Sequence, residues 1–121
     1  MRFEAFHAAA LDLPGVSFDV KWGADRIYSV GGKMFAAAGA EGDAAPRYAF
    51  KASDLAFEIL VEQGLAVPAP YMARAKWVQL ASADALPDAD LLAYLRQAHA
   101  LVAAKLTRKA RSELGIAEPQ G

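Results

Sequence analysis

Residues 30 to 39 read VGGKMFAAAG, a glycine pair and a lysine set before a small apolar run. Amides freed by glycine, with a lysine beside them, are the raw material of a phosphate cradle. Such a loop needs the spacing G-x-x-x-x-G-K-[ST], whose last hydroxyl reaches the metal. Here the glycines are adjacent, Met34 takes the hydroxyl's place, and a strand is expected to follow instead of a helix. Gly-Gly is a favoured two-residue hairpin turn, because both central positions can need positive φ. The stretch reads as a turn with Lys33 at its exit.

Lys33 has a second role open to it. Side chains alternate across a strand, so Lys33 shares a face with Phe35, and Arg47 shares one with Ala49 and Lys51. Tyr48 and Phe50 then point into the core, and Trp77 and Gln79 oppose Val78 and Leu80. Should the cationic faces coincide, one open sheet surface carries Lys33, Arg47 and Lys51, with Lys76 and Trp77 beside them. Bases with an interleaved aromatic hold phosphates and stack a base. The alternative is a solvated sheet face whose Lys and Arg stems cover apolar surface.

Other candidates are weaker. Asp54, Glu58 and Glu62 share one helix face. Hard cations favour carboxylates, but one acid per turn without an inward histidine is the pattern of a wet face. His7 and His99 lack a serine or carboxylate at relay spacing, so they read as helix residues with satisfied nitrogens. GAEGDAAP, residues 39 to 46, contains a G-x-x-G, yet Glu41 and Asp43 would repel a nucleic-acid backbone. No metal or other cofactor is expected, nor any catalytic residue.

The elements that must position these groups follow from periodicity and punctuation. Phe3, Phe6, Ala10 and Leu13 form one helical stripe, ended by Pro14-Gly15. Strands are expected at 17–22, 26–30, 33–38 and 47–51, with connections too short for anything but antiparallel neighbours. Ser53 caps a second helix with Leu55 and Ile59 on its buried face and Gly64 at its end. Pro68 and Pro70 interrupt regular structure, 76–81 reads as a strand, and Pro87 opens a long last helix. Its seam is Leu91, Leu95, Ala98, Val102 and Leu106, and the bases at 105 to 111 oppose the negative end of its dipole. The sum is α+β: a two-layer α/β sandwich, an antiparallel sheet with helices packed on one face.

At 121 residues the chain suits one domain, drawn at 1–115 with a flexible tail at 116–121. A domain this size buries about two-thirds of its unfolded surface and needs no staple. It contains no cysteine, which removes disulfides and thiolate chemistry and fits the cytoplasm. No apolar stretch is long enough to span a bilayer. Thirteen bases against fourteen acids give a net charge of −1, which argues against strong, sequence-blind nucleic-acid binding but permits a local basic patch.

Leu13-Pro14-Gly15-Val16, Trp22-Gly23, Val30-Gly31-Gly32-Lys33-Met34-Phe35 and Phe50-Lys51 occur in order. Pro70-Tyr71, Lys76-Trp77-Val78 and Leu86-Pro87-Asp88 continue the series. Together they resemble the MmcQ/YjbR family of small bacterial proteins, from about Phe3 to Gly115. The resemblance implies a CyaY-like fold, grouped with double-wing DNA-binding proteins, and no enzymatic activity. One departure is Ala98-His99, where the family's final helix often carries Ser-Tyr.

The reading that results is a non-enzymatic domain binding DNA weakly or in a sequence-dependent way. Lys33, Arg47, Lys51 and Lys76 would contact phosphate, while Trp77 would stack or pack. The competing reading is a protein- or small-ligand-binding module using the cleft beside VPAPYMARAKW, where Tyr71, Met72 and Trp77 offer apolar contact. No membrane partner is expected.

Overall fold

The computed structural model describes residues 1–21, 25–39, 46–70 and 75–116. The Phe3–Phe6–Ala10 spacing builds helix α1 (Phe3–Leu11), which buries Phe6 and Ala10. Four strands follow: β1 (Val16–Lys21), β2 (Asp25–Val30), β3 (Lys33–Gly39) and β4 (Arg47–Lys51). After them come helix α2 (Asp54–Glu62), strands β5 (Ala66–Pro68) and β6 (Trp77–Leu80), and helices α3 (Asp88–Ala103) and α4 (Arg108–Glu113). The strands form one antiparallel sheet in the order β1-β2-β3-β4-β6-β5. The turns expected around 23–25, the G-x-x-G loop, the Tyr71–Met72 cleft and the tail fall wholly or partly outside the described residues.

One sheet face carries Tyr28, Val30, Ala36, Ala38, Tyr48, Phe50, Val78 and Leu80, which join Phe6, Leu60, Leu91 and Leu95 in a single core. The helices therefore cover one side, giving the two-layer α+β sandwich that the periodicity implies. No helix among the described residues is long and apolar enough to cross a membrane. The two histidines tie elements together. Nε2 of His99 donates to the Pro14 carbonyl at 2.7 Å, and Nδ1 of His7 shares a 2.8 Å hydrogen bond with the Tyr28 hydroxyl.

Local chemistry sets the joints. Gly31 and Gly32 close the β2–β3 hairpin at φ 59° and 79°, a conformation that costs other residues about 1–2 kcal/mol each. Gly31 is also a packing site: a Cβ there would lie 2.6 Å from the Leu106 side chain. Ser53 caps α2 by accepting from the Ala56 amide at 3.1 Å, and Gly64 follows the helix at φ 73°.

Four features differ from the sequence expectation. Pro68 ends a short strand, β5, which is possible because β5 lies at the sheet edge where a missing N–H breaks no ladder. The last helix is two helices, since Thr107 caps a new one by accepting from the Ala110 amide. On α2, apolar residues run nearly all round, and Ala56 and Leu60 take the core while Leu55 and Ile59 are left exposed. Finally, β3 bulges. Tyr28 pairs with Ala36 and Ser29 with Met34, so Phe35 has no register partner in β2 and both Phe35 and Ala36 enter the core. An extra residue reverses the faces of everything before it.

This packing is open to test at two points. Gly31→Ala should lower stability by about 2–4 kcal/mol, combining overpacking against Leu106 with the left-handed backbone, whereas Gly32→Ala should cost only about 1–2 kcal/mol. Equal losses in chemical denaturation would show that the Leu106 contact is unimportant. The second point concerns phenols. Burial, then the carboxylates of Glu4, Asp84 and Asp88, pushes the Tyr48 phenol from 10.0 up to about 12. Burial raises Tyr28 as well, against the opposing charge of Arg26. A phenol with a raised pKa in the fold contributes stability that is complete below pH 10.0 and lost as pH climbs toward about 12. Phenolate absorbance should therefore show two of the four tyrosines ionising only together with loss of structure.

Candidate functional site

The bulge at Phe35 decides where the expected cations go. Lys33 pairs with Val30, so it stands on the helix side of the sheet, although exposed at its end. Arg47, Ala49 and Lys51 alternate with the core residues Tyr48 and Phe50 and stand on the other side. The single open face carrying Lys33 with Arg47 and Lys51 is thus not what the register builds. Arg47 is further removed because it begins β4 while Lys51 ends it, a separation of about 13 Å at the usual rise per strand residue. Its guanidinium lies beside Gly39, as does the Asp25 carboxylate.

Trp77 is Lys51's register partner and shares its face, but only 4% of its surface is exposed. An indole that buried cannot stack on a base without moving. Ile27 is buried on the same side of the sheet, and neither residue belongs to the helix-side core. Trp77 packs.

What the fold does assemble is a basic end. β3 and β4 are antiparallel, so the start of one and the finish of the other bring Lys33 and Lys51 to the same end of the sheet. Lys76 precedes β6 there; its carbonyl accepts from the Ala52 amide at 3.0 Å. Its backbone is left-handed at φ 61°, an uncommon state for a lysine, and its ammonium sits 4.9 Å from the Phe57 ring centroid. Lys105 arrives from the other layer. The contact between Gly31 and Leu106 places the turn after α3 against the β2–β3 turn.

Lys51 registers the convergence. Its ammonium donates to the Ala75 carbonyl. Partial burial, then the charge of Lys105, holds its pKa below the ordinary lysine value; Lys76 adds to this and Asp54 opposes it. Lys51 therefore senses two other cations, one from the approach to β6 and one from the turn after α3. Arg111 fixes the Lys105 turn from behind, its Nη1 donating to the Leu106 carbonyl at 2.6 Å, where a cation also meets the negative end of α3. Lys105 escaped sequence reasoning as a site residue because its place depends on α3 ending at Ala103.

The other candidates sit elsewhere. Asp54, Glu58 and Glu62 are exposed along α2, and no three metal-ligating side chains come together among the described residues. The cleft expected beside VPAPYMARAKW involves residues 71–74, outside the described ones. A groove of about 350 Å³ lies instead between α2 and α3.

A family model described as YjbR matches residues 11–101. The crystal structure of the Deinococcus radiodurans protein DR2400, which carries a DUF419 domain, matches with a TM-score of 0.85. That match covers 98% of this chain and 91% of that one at 20% identity, a likeness that speaks for the fold alone. No curated protein matches the chain.

If the lysines repel one another across this end, relieving the repulsion must raise the Lys51 pKa. Both Lys105→Ala and addition of inorganic phosphate should shift the Lys51 titration upward when its side-chain resonances are followed by NMR. A titration that stays put under both treatments would mean the cations do not sense one another.

Proposed function

The chain belongs to the YjbR family, and on that premise we propose a non-catalytic module that holds the DNA backbone weakly at the basic end formed by Lys33, Lys51, Lys76 and Lys105. The observation that supports it is the meeting of Lys33, Lys51 and Lys76 at one end of the sheet with the Lys105 turn of the helix layer set against it, where burial first and then Lys105 and Lys76 lower the pKa of Lys51. A cluster of cations that destabilises its own charged state is complementary to phosphate, which removes the repulsion on binding. Four lysines on a chain of net charge −1 suit modest affinity, with salt screening it strongly.

The arrangement favours backbone contact over base reading. Lysine presents a point charge and not the planar fork that reads guanine, and Trp77 is packed away from solvent. Discrimination between sequences would then come from DNA shape and deformability. The two histidines, each engaged in a hydrogen bond that joins elements of the fold, suit a module without a reaction to perform.

Binding of a short duplex, followed by fluorescence anisotropy over a salt series, tests this reading. Lys51→Ala combined with Lys105→Ala should reduce the slope of log affinity against log salt by about 2, one for each phosphate that is no longer neutralised, and weaken binding across sequences alike. Arg47→Gln, at the far end of β4, should leave the slope as it was. Duplex binding that is absent at low salt, or that ignores the double substitution while responding to Arg47→Gln, contradicts the reading.

A further inference from the structure

Helix α2 turns two large apolar side chains outward. Leu55 is 67% exposed and Ile59, one turn later on the same face, is 37% exposed. Beside them runs the groove of about 350 Å³, walled by Ile59, Leu65, Leu86 and Tyr94, with Gln63 and Asp90 contributing polar groups. The Tyr94 ring is braced from below, stacked on Phe50 at 5.8 Å between centroids. The groove therefore has a rigid floor and an apolar lip that the fold does not cover.

The side chains around the groove are mostly acidic. Glu58 and Glu62 flank the apolar pair on α2, and Asp90 stands on the opposite wall, where α3 opens; its neighbour Asp88 is paired with the Met1 ammonium at 3.6 Å. Neither residues 52–73 nor residues 77–95 contain a lysine or arginine. A second copy docked face to face about a twofold axis would set these carboxylates against themselves. An apolar stripe bordered by cations meets both features of the groove at once. An amphipathic helix presents such a stripe at i, i+3 and i+4, the spacing that matches Leu55 and Ile59.

We propose that the α2–α3 groove docks a cationic amphipathic helix of a partner protein. The groove opens on the Ile59–Gln63 side of α2, whereas Lys76 of the basic end meets that helix at Phe57, so the domain holds an anionic ligand at one end and a basic protein segment between its helices. Charge complementarity sets the encounter and excludes acidic helices, while Leu55 and Ile59 supply the contact that persists in salt.

The test uses the full chain and two synthetic helices sharing one leucine stripe, with lysine on the polar face of one and glutamate on the other. Amide NMR shifts and anisotropy should report binding of the lysine peptide, with changes centred on Leu55, Ile59 and Ala93 and none at Lys33 or Lys105. The glutamate peptide should not bind. Leu55→Lys changes an exposed position, so the fold should persist by circular dichroism while affinity falls about tenfold or more. Equal binding of both peptides, shifts away from the groove, or unchanged affinity in Leu55→Lys would each overturn the proposal. So would self-association of the free chain that Leu55→Lys abolishes, since the occupant would then be a second copy.

Discussion

Leu106 occupies the space where any side chain on Gly31 would stand. That single contact locks the β2–β3 turn of the sheet layer to the turn after α3 in the helix layer. The two lysines nearest to it in sequence, Lys33 and Lys105, belong to different layers and would otherwise have no reason to share an end of the molecule. With the turn locked, they come to the same end of the molecule as Lys51 and Lys76, which the β4–β6 pairing has already placed together. Burial first, and then the charges of Lys105 and Lys76, hold the pKa of Lys51 below the ordinary lysine value. The fold tolerates these charges because none of the four lysines is buried and Asp54 offsets some of the charge felt by Lys51.

Much of this is legible in the sequence wherever local chemistry decides. The Gly31-Gly32 turn, the Ser53 cap and the Gly64 stop each need a particular residue type at a particular backbone angle, and each stands where the residue types place it. The α+β layering follows from periodicity. What the sequence does not disclose depends on partners distant in the chain. No glycine or proline marks Phe35, so the bulge is visible only once β2 and β3 are in register. It alone moves Lys33 away from the face of Arg47 and Lys51. In the same way, the burial of Trp77 and the choice of Ala56 and Leu60 over Leu55 and Ile59 reflect what packs against them and not their own spacing.

The charge asymmetry of the chain acquires a spatial meaning. The two stretches without lysine or arginine, 52–73 and 77–95, build α2, β5, β6 and the start of α3, and give the α2–α3 groove its acidic rim. The bases near the C-terminus fall on the turn after α3 and on α4, where Arg111 donates to the Ala104 and Leu106 carbonyls of that turn. A net charge of −1 therefore conceals two regions of opposite sign, each beside its own kind of surface. Such a division permits two ligands of opposite charge to be held together without competing for the same site.

The claim at the centre is that phosphate meets this domain at the end of the sheet and not on its face. Amide and lysine side-chain NMR shifts during titration with a short DNA duplex locate the contact directly. The changes should gather at Lys33, Lys51, Lys76 and Lys105 and leave Arg47 and β1 undisturbed. Shifts centred on Arg47 and the middle of the sheet, with Lys33 and Lys105 silent, would contradict it.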